Sequence, residues 1–249
     1  MKKLFYILSL LFLTQGTFAQ SAFEKGNGLY QKGDFKGAAE AYNSIIHNNE
    51  QSAEVYFNLG NAYYKLNELA PSIFNYEKAL LLDPGNKDVA INLSVARKMI
   101  IDDVKPAPQT GFKQALFNIT GNYHYNTWAW IAVSFAGLCF ILFLGYYLSG
   151  TTLLKRIFFT GMFASVLCVI ASVLSAMFVK TEVNNQHPAI VFAEVASVKP
   201  SPSPKGKDAF VLHEGIKVDV LQTKDGYRKI KLADNSVGWI EADAIKEVK

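Results

Sequence analysis

Apolar and polar positions follow three different rhythms along this chain. Between residues 20 and 100 the apolar side chains recur at helical spacing, as in the run Val89, Leu93, Ala96 and Ile100. Across Trp128–Leu148 and Ile157–Val179 the rhythm disappears, because no charged residue interrupts the apolar run. After residue 188 it becomes alternation. Ile216, Val218 and Val220 face one way against Lys217 and Asp219, and Ile230 and Leu232 alternate with Lys229 and Lys231. Turn-forming residues at 200–206, Glu214-Gly215, Asp225-Gly226 and Asp234-Asn235 divide these runs. The pattern predicts a helical unit, two long apolar helices and a region of short strands.

The helical stretch repeats with a period of 34 residues. Gly26 corresponds to Gly60, Asn27 to Asn61, Tyr30 to Tyr64, Ala38 to Ser72 and Tyr42 to Tyr76. Small residues at matched positions let paired helices approach, and aromatics fill the gap between neighbouring pairs. This period with these residue types resembles the tetratricopeptide repeat family. The repeats are placed at residues 19–52 and 53–86, within a unit spanning 20–103. Pro84 ends the second pair and Lys87–Ile100 forms a capping helix. The resemblance implies a peptide groove on the inner face of the first helix of each pair. By position that groove would hold Phe23, Asn27, Tyr30, Phe57, Asn58, Asn61, Tyr64 and Asn92. Asn27 and Asn58 match the asparagines of the family's carboxylate clamp, but Phe23, Asp88 and Asn92 stand where the clamp is basic. Recognition of a C-terminal carboxylate is therefore not implied. Asn61 is expected to be an exposed groove amide whose removal leaves the fold almost untouched.

The segments 127–149 and 157–180 are each long enough to cross a hydrocarbon core of about 30 Å. Trp128, Trp130, Tyr146 and Tyr147 lie near the ends of the first, as an aromatic belt would. The connector, 150–156, carries Lys155 and Arg156, which predicts a cytoplasmic loop. Both flanking units then face outward. Residues 1–19 read as a secretory signal peptide: a Met-Lys-Lys start, an apolar core over Leu4–Leu13, and small residues at Thr17 and Ala19 before Gln20. Lys105-Pro-Ala-Pro108 marks a linker over 104–126.

The strand region, 181–249, contains Val211-Leu-His-Glu-Gly215, Lys224-Asp-Gly-Tyr227 and Val237-Gly-Trp-Ile240. These strings resemble bacterial SH3 domains and imply a small β-barrel. Tyr227 and Trp239 are candidates for a ligand face, with a core position the alternative for Trp239.

The net charge of +4 comes with no block of Lys or Arg, which argues against nucleic acid. Cys139 and Cys168 both lie in the apolar segments, where cysteine acts as a small hydrophobe. The outward units therefore lack a thiol nucleophile and a disulfide framework. His47, His124, His187 and His213 are scattered without metal-ligand spacing. No nucleotide-binding or hydrolase motif is present, and no cofactor is expected. The chain reads as a multidomain α plus β membrane protein and not an enzyme: a helical solenoid, two transmembrane helices and an SH3-like barrel.

That order resembles the BatE-type family of bacterial aerotolerance operons. The resemblance implies a membrane-anchored interaction scaffold in the inner membrane of a bacterium, with other Bat-type envelope proteins as partners. The alternative is a cell-wall-binding anchor that acts through the SH3-like region on cell-wall peptide.

Overall fold

The computed structural model describes residues 16–108, 111–204 and 207–249, with side chains from residue 21 onward. The apolar core of the predicted signal peptide lies outside these residues. The first described helix, α1 (Gly16–Gln31), runs unbroken through the predicted cleavage position.

The chain forms two compact units. One is assembled from both ends of the sequence, up to Pro108 and from His187 onward. The other is the intervening stretch Gln109–Gln186.

In the first unit, α1 pairs with α2 (Phe35–His47), and α3 (Ala53–Lys65) pairs with α4 (Leu69–Leu82). A single helix, α5 (Lys87–Arg97), follows. Local chemistry sets the ends. Asp34, Ser52 and Asn86 cap α2, α3 and α5 by accepting from backbone N–H groups of Gly37, Val55 and Val89. The turn inside each pair needs a left-handed residue, which is Gly33 in the first and Asn67 in the second. Packing inside each pair turns on one glycine. A Cβ on Gly26 would lie 2.5 Å from the Tyr42 ring, and one on Gly60 would lie 2.7 Å from the Tyr76 ring. The two tyrosines are 1% exposed.

The strand region contains β1 (Pro188–Val191), β2 (Val195–Val198), β3 (Phe210–His213), β4 (Lys217–Lys224), β5 (Tyr227–Lys231), β6 (Val237–Glu241) and β7 (Ile245–Glu247). An antiparallel sheet runs β6-β5-β4-β1-β7, and β2 and β3 form a separate ribbon. Asp225 and Gly226, both with positive φ, make the two-residue turn between β4 and β5. Ile216, Val218, Val220, Ile230 and Leu232 enter one core, as the alternation predicts. The predicted closed barrel does not form among the described residues. A single bridge, Lys199 to Trp239, links the ribbon to β6. The edge strands of the sheet are β6 and β7, which do not pair with each other; β1, in the interior, gives its second face to the helices.

That contact joins the two ends of the sequence. Ala189 and Val191 of β1 belong to the sheet core. Ile190, between them, belongs to the core of the second helical pair, with Tyr56, Leu69, Ile73 and Tyr76. Val248 enters the same cluster. Phe74 meets Phe192 edge-on at 5.6 Å, with the Lys246 ammonium 4.8 Å from the Phe192 ring centre. Glu77 of α4 is 6% exposed. It accepts from Arg97 of α5 and, at 2.7 Å, from Lys217 of β4. Beyond α5, Asp102 accepts the His213 backbone N–H at 2.7 Å and meets the His213 ring Nδ1 at 2.9 Å. Repeats and sheet are one folded body.

In the second unit, α6 (Phe112–Thr120) precedes two long antiparallel helices, α7 (Tyr125–Leu148) and α8 (Thr152–Asn185). The helix α6 falls inside the predicted linker. The long helices have 24 and 34 residues, about 36 and 51 Å at 1.5 Å per residue. Both are long and apolar enough to cross a membrane. They meet through small groups. Ser165 Oγ donates to the Phe135 carbonyl at 2.7 Å, and Gly145 makes room for Phe158. The connector is shorter than predicted, because nothing in Leu153-Leu-Lys-Arg-Ile157 breaks a helix. Lys155 and Arg156 therefore sit at the start of α8.

If β1 is a wall shared by two cores, Ile190→Ala opens a cavity that destabilises both. The expected cost is about 2–5 kcal/mol. Amide exchange of the full chain in detergent should show α4 and β4 losing protection together. Loss confined to the sheet amides would mean that the cores are independent.

Candidate functional site

The inner face of the helical pairs carries a hydrogen-bond ladder that repeats with the sequence. Asn27 Oδ1 accepts from Tyr42 Oη at 2.7 Å and from Asn58 Nδ2 at 3.1 Å. One repeat later, Asn61 Oδ1 accepts from Tyr76 Oη at 2.7 Å and from Asn92 Nδ2 at 2.8 Å. Each rung thus ties the first helix of a pair to its own second helix and to the first helix of the next pair. The last rung reaches α5, so this helix occupies the first-helix place of a third pair.

The ladder fixes how the amides point. Asn27 and Asn61 use their carbonyl oxygens inward, so among the described residues their N–H groups are the atoms left to serve a ligand. Asn58 and Asn92 donate inward and retain carbonyl oxygens. The result is an alternation of donors and acceptors along one face. At the first rung, Asn27, Tyr30, Gln31, Tyr42, Asn58 and Asn61 line an open pocket of about 150 Å³. Burial pushes the Tyr42 and Tyr76 hydroxyls up to about 12, so they remain protonated donors throughout the physiological range.

The structure brings Asn27, Tyr30, Asn58 and Asn61 together at this pocket. The other predicted aromatics, Phe23, Phe57 and Tyr64, serve packing beside it. Phe23 lies against Tyr42 at 6.0 Å and Phe57 against Tyr76 at 6.1 Å, in equivalent arrangements. Tyr30 meets Phe35 edge-on at 5.1 Å, and Tyr64 packs on the second-pair cluster. Asn61 is bonded on two sides and so differs from the exposed amide expected at that position. Gln31 and Tyr42 also line the pocket, although the family pattern does not place them in the groove. For Tyr42 the sequence holds a signal: Asn and Tyr recur 15 residues apart in both repeats, the spacing of the two rungs.

Tyr227 and Trp239, the candidates for a ligand face on the sheet, are 8% and 9% exposed. Both are largely buried, yet neither belongs to the apolar core cluster that holds Ile230 and Ile240. Among the described residues no cluster of His, Cys, Asp and Glu side chains is placed to hold a metal.

The paired helices, their glycine contacts and the ladder define a tandem helical-repeat module of the kind that mediates protein interactions. Comparison agrees over this part of the chain. Residues 53–86 match the family described as Tetratricopeptide repeat, and residues 26–67 match the family described as TPR repeat. A TPR repeat-containing protein of Methanocaldococcus jannaschii is 44% identical over 74 residues. The alignment covers 28% of this chain and 13% of that protein, so the chain spans only a small part of its relative. Two solved structures, NlpC2 and NlpC1 from Trichomonas vaginalis, align with 25% of this chain and with 25% and 23% of their own chains. Identity is 15% and 17%, and the TM-score is 0.23 for both, too low to bear on the fold.

The ladder has an energetic consequence. Asn61→Ala leaves the buried Tyr76 hydroxyl without its acceptor, at an expected cost of about 1–3 kcal/mol. Adding Tyr76→Phe removes the orphaned group. In a double-mutant cycle by chemical denaturation, the pair should cost less than the sum by about 0.5 kcal/mol or more. Strict additivity would show that the rung is not a unit.

Proposed function

We propose that this chain is a membrane-anchored interaction scaffold whose repeat face takes an extended peptide segment of a partner protein. The observation that carries the reading is the orientation-locked asparagine ladder beside an open pocket. Fixed N–H and carbonyl groups in alternation suit a peptide backbone, and pre-set amides spare the ordering cost of binding. The likeness to BatE-type proteins in segment order supports placing the scaffold in a bacterial envelope complex linked to aerotolerance, with other Bat-type proteins as partners.

Anchoring is supported by α7 and α8 and by chain topology. The segments before and after these helices build one body, so both must lie on the same side of any membrane. A two-helix hairpin that crosses twice satisfies this requirement. Lys155 and Arg156, at the far turn of the hairpin, favour a cytoplasmic turn and an outward-facing body.

A photo-crosslinking residue at Gln31, which lines the pocket, tests the groove in intact membranes. It should capture a discrete partner protein. The yield should fall several-fold when Asn58→Ala removes one lining amide while Asn27 keeps its bond to Tyr42. Equal capture with Asn58→Ala would count against the groove.

Topology is tested with Cys139 and Cys168 replaced by Ala and a single cysteine introduced. A thiol reagent confined to the outer side should label Ser203→Cys in whole cells and reach Thr152→Cys only after permeabilisation. The opposite pattern would reverse the orientation, and labelling of both sites in intact cells would rule out the crossing.

A further inference from the structure

Helix α6 divides its surface three ways, and each part has a different surrounding. Lys113, Phe117 and Thr120 lie on one side. Lys113 Nζ reaches Glu182 of α8 at 2.9 Å, and Thr120 is 3% exposed. Gln114 and Asn118, one turn apart, hydrogen-bond to each other at 3.0 Å on a second side. Phe112, Ala115, Leu116 and Ile119 fall on a third, within about 100° of arc at 3.6 residues per turn. Phe112 is 84% exposed and Ile119 is 70% exposed. An apolar strip thus stands open although the helix is pinned on an adjacent side.

The pinning is specific. Besides the Lys113–Glu182 pair, Trp128 of α7 donates its indole N–H to the Thr120 carbonyl at 3.0 Å. Tyr123 in the connecting turn stacks edge-on with Trp128 at 5.9 Å. Lys180 of α8 stands 5.9 Å from the Tyr125 ring centre. Tyrosine, tryptophan and lysine at one end of two apolar helices are the groups that settle at the boundary between headgroups and hydrocarbon. Helix α6 lies at this same end, since it runs into α7 through the short turn that holds Tyr123.

We infer that α6 is an interfacial helix that lies in the membrane surface at the base of the hairpin, with Phe112, Ala115 and Ile119 in the headgroup–acyl boundary. The inference rests on the membrane-spanning reading of α7 and α8. The occupant of the strip is lipid because α6 is pinned at the end of the hairpin where that reading puts the membrane surface, beside Trp128, Tyr125 and Lys180. Charge identifies the class of lipid surface. Lys113, the one charged side chain on α6, is engaged by Glu182, so the helix itself offers no unpaired cation to select anionic headgroups. A zwitterionic surface suffices, and the strip binds by apolar burial.

The test uses the full chain, with Cys139 and Cys168 replaced by Ala, reconstituted in phosphatidylcholine vesicles. Nitroxide labels go on single cysteines at Phe112, Ala115, Ile119, Asn118 and Gly137. Gly137 in α7 has open space around it and serves as the deep reference. Accessibility to oxygen against a water-soluble nickel chelate gives the depth of each label. The expected result is a deep Gly137 label, shallow immersed labels at Phe112, Ala115 and Ile119, and a water-exposed label at Asn118. Adding phosphatidylglycerol should leave the depths unchanged. A water-exposed Ile119 label with a deep Gly137 label would overturn the inference and leave the hairpin reading standing. If Gly137 were also water-exposed, both would fall. Immersion of Ile119 only when phosphatidylglycerol is present would overturn the assignment to a zwitterionic surface.

Discussion

One strand holds the main unit together because it has no solvent face. Ala189 and Val191 of β1 look into the sheet, and Ile190 looks into the second helical pair. A strand so placed cannot be withdrawn without exposing two cores. Everything around it follows from that placement. The strand must sit in the sheet interior, between β4 and β7. Helix α4 must be apolar on the side away from its partner α3. The side of β1 that faces away from the sheet core is covered by the helices instead of solvent.

The polar contacts across the same junction are arranged to match. Glu77 would be costly to bury alone, and it is met by Arg97 from the helical side and Lys217 from the sheet side. Such a triad adds little as net attraction, yet it penalises any other docking of sheet on helix, because misalignment strands a buried carboxylate. Apolar area gives the junction its strength, and Glu77 with its two partners gives it register. The Asp102–His213 contact acts in the same way further along, holding the segment after α5 against β3.

Much of this architecture is legible in the order of residues alone. The 34-residue period locates both helical pairs, because steric contacts such as Gly26 with Tyr42 and Gly60 with Tyr76 must repeat if the helices are to stack alike. Alternation locates the strands from β4 onward, because only one of their faces is buried. The asparagine roles are harder to read, since Asn27 and Asn61 each serve partners 15 and 31 residues away. The union of repeats and sheet is the hidden part. Its trace is the unbroken apolar run Ala189-Ile-Val-Phe192, which does not alternate because the strand is buried on both faces. Helix α6 escapes a reading by pattern because a short amphipathic stretch beside Pro106 and Pro108 has the composition of a linker.

The discontinuity of the main unit also orders events in time. The helical pairs are synthesised first, but the strand that completes their core follows only after α7 and α8. At ordinary elongation rates that interval is on the order of ten seconds. During it, Leu69, Ile73 and Tyr76 lack Ile190 and Val248. The emerging repeats must therefore be tolerated half-built, and their final stability reports that the chain through β7 has arrived beside them. A repeat unit made in this way proofreads its own assembly: a chain whose apolar hairpin fails to bring its two arms together never acquires a finished repeat core.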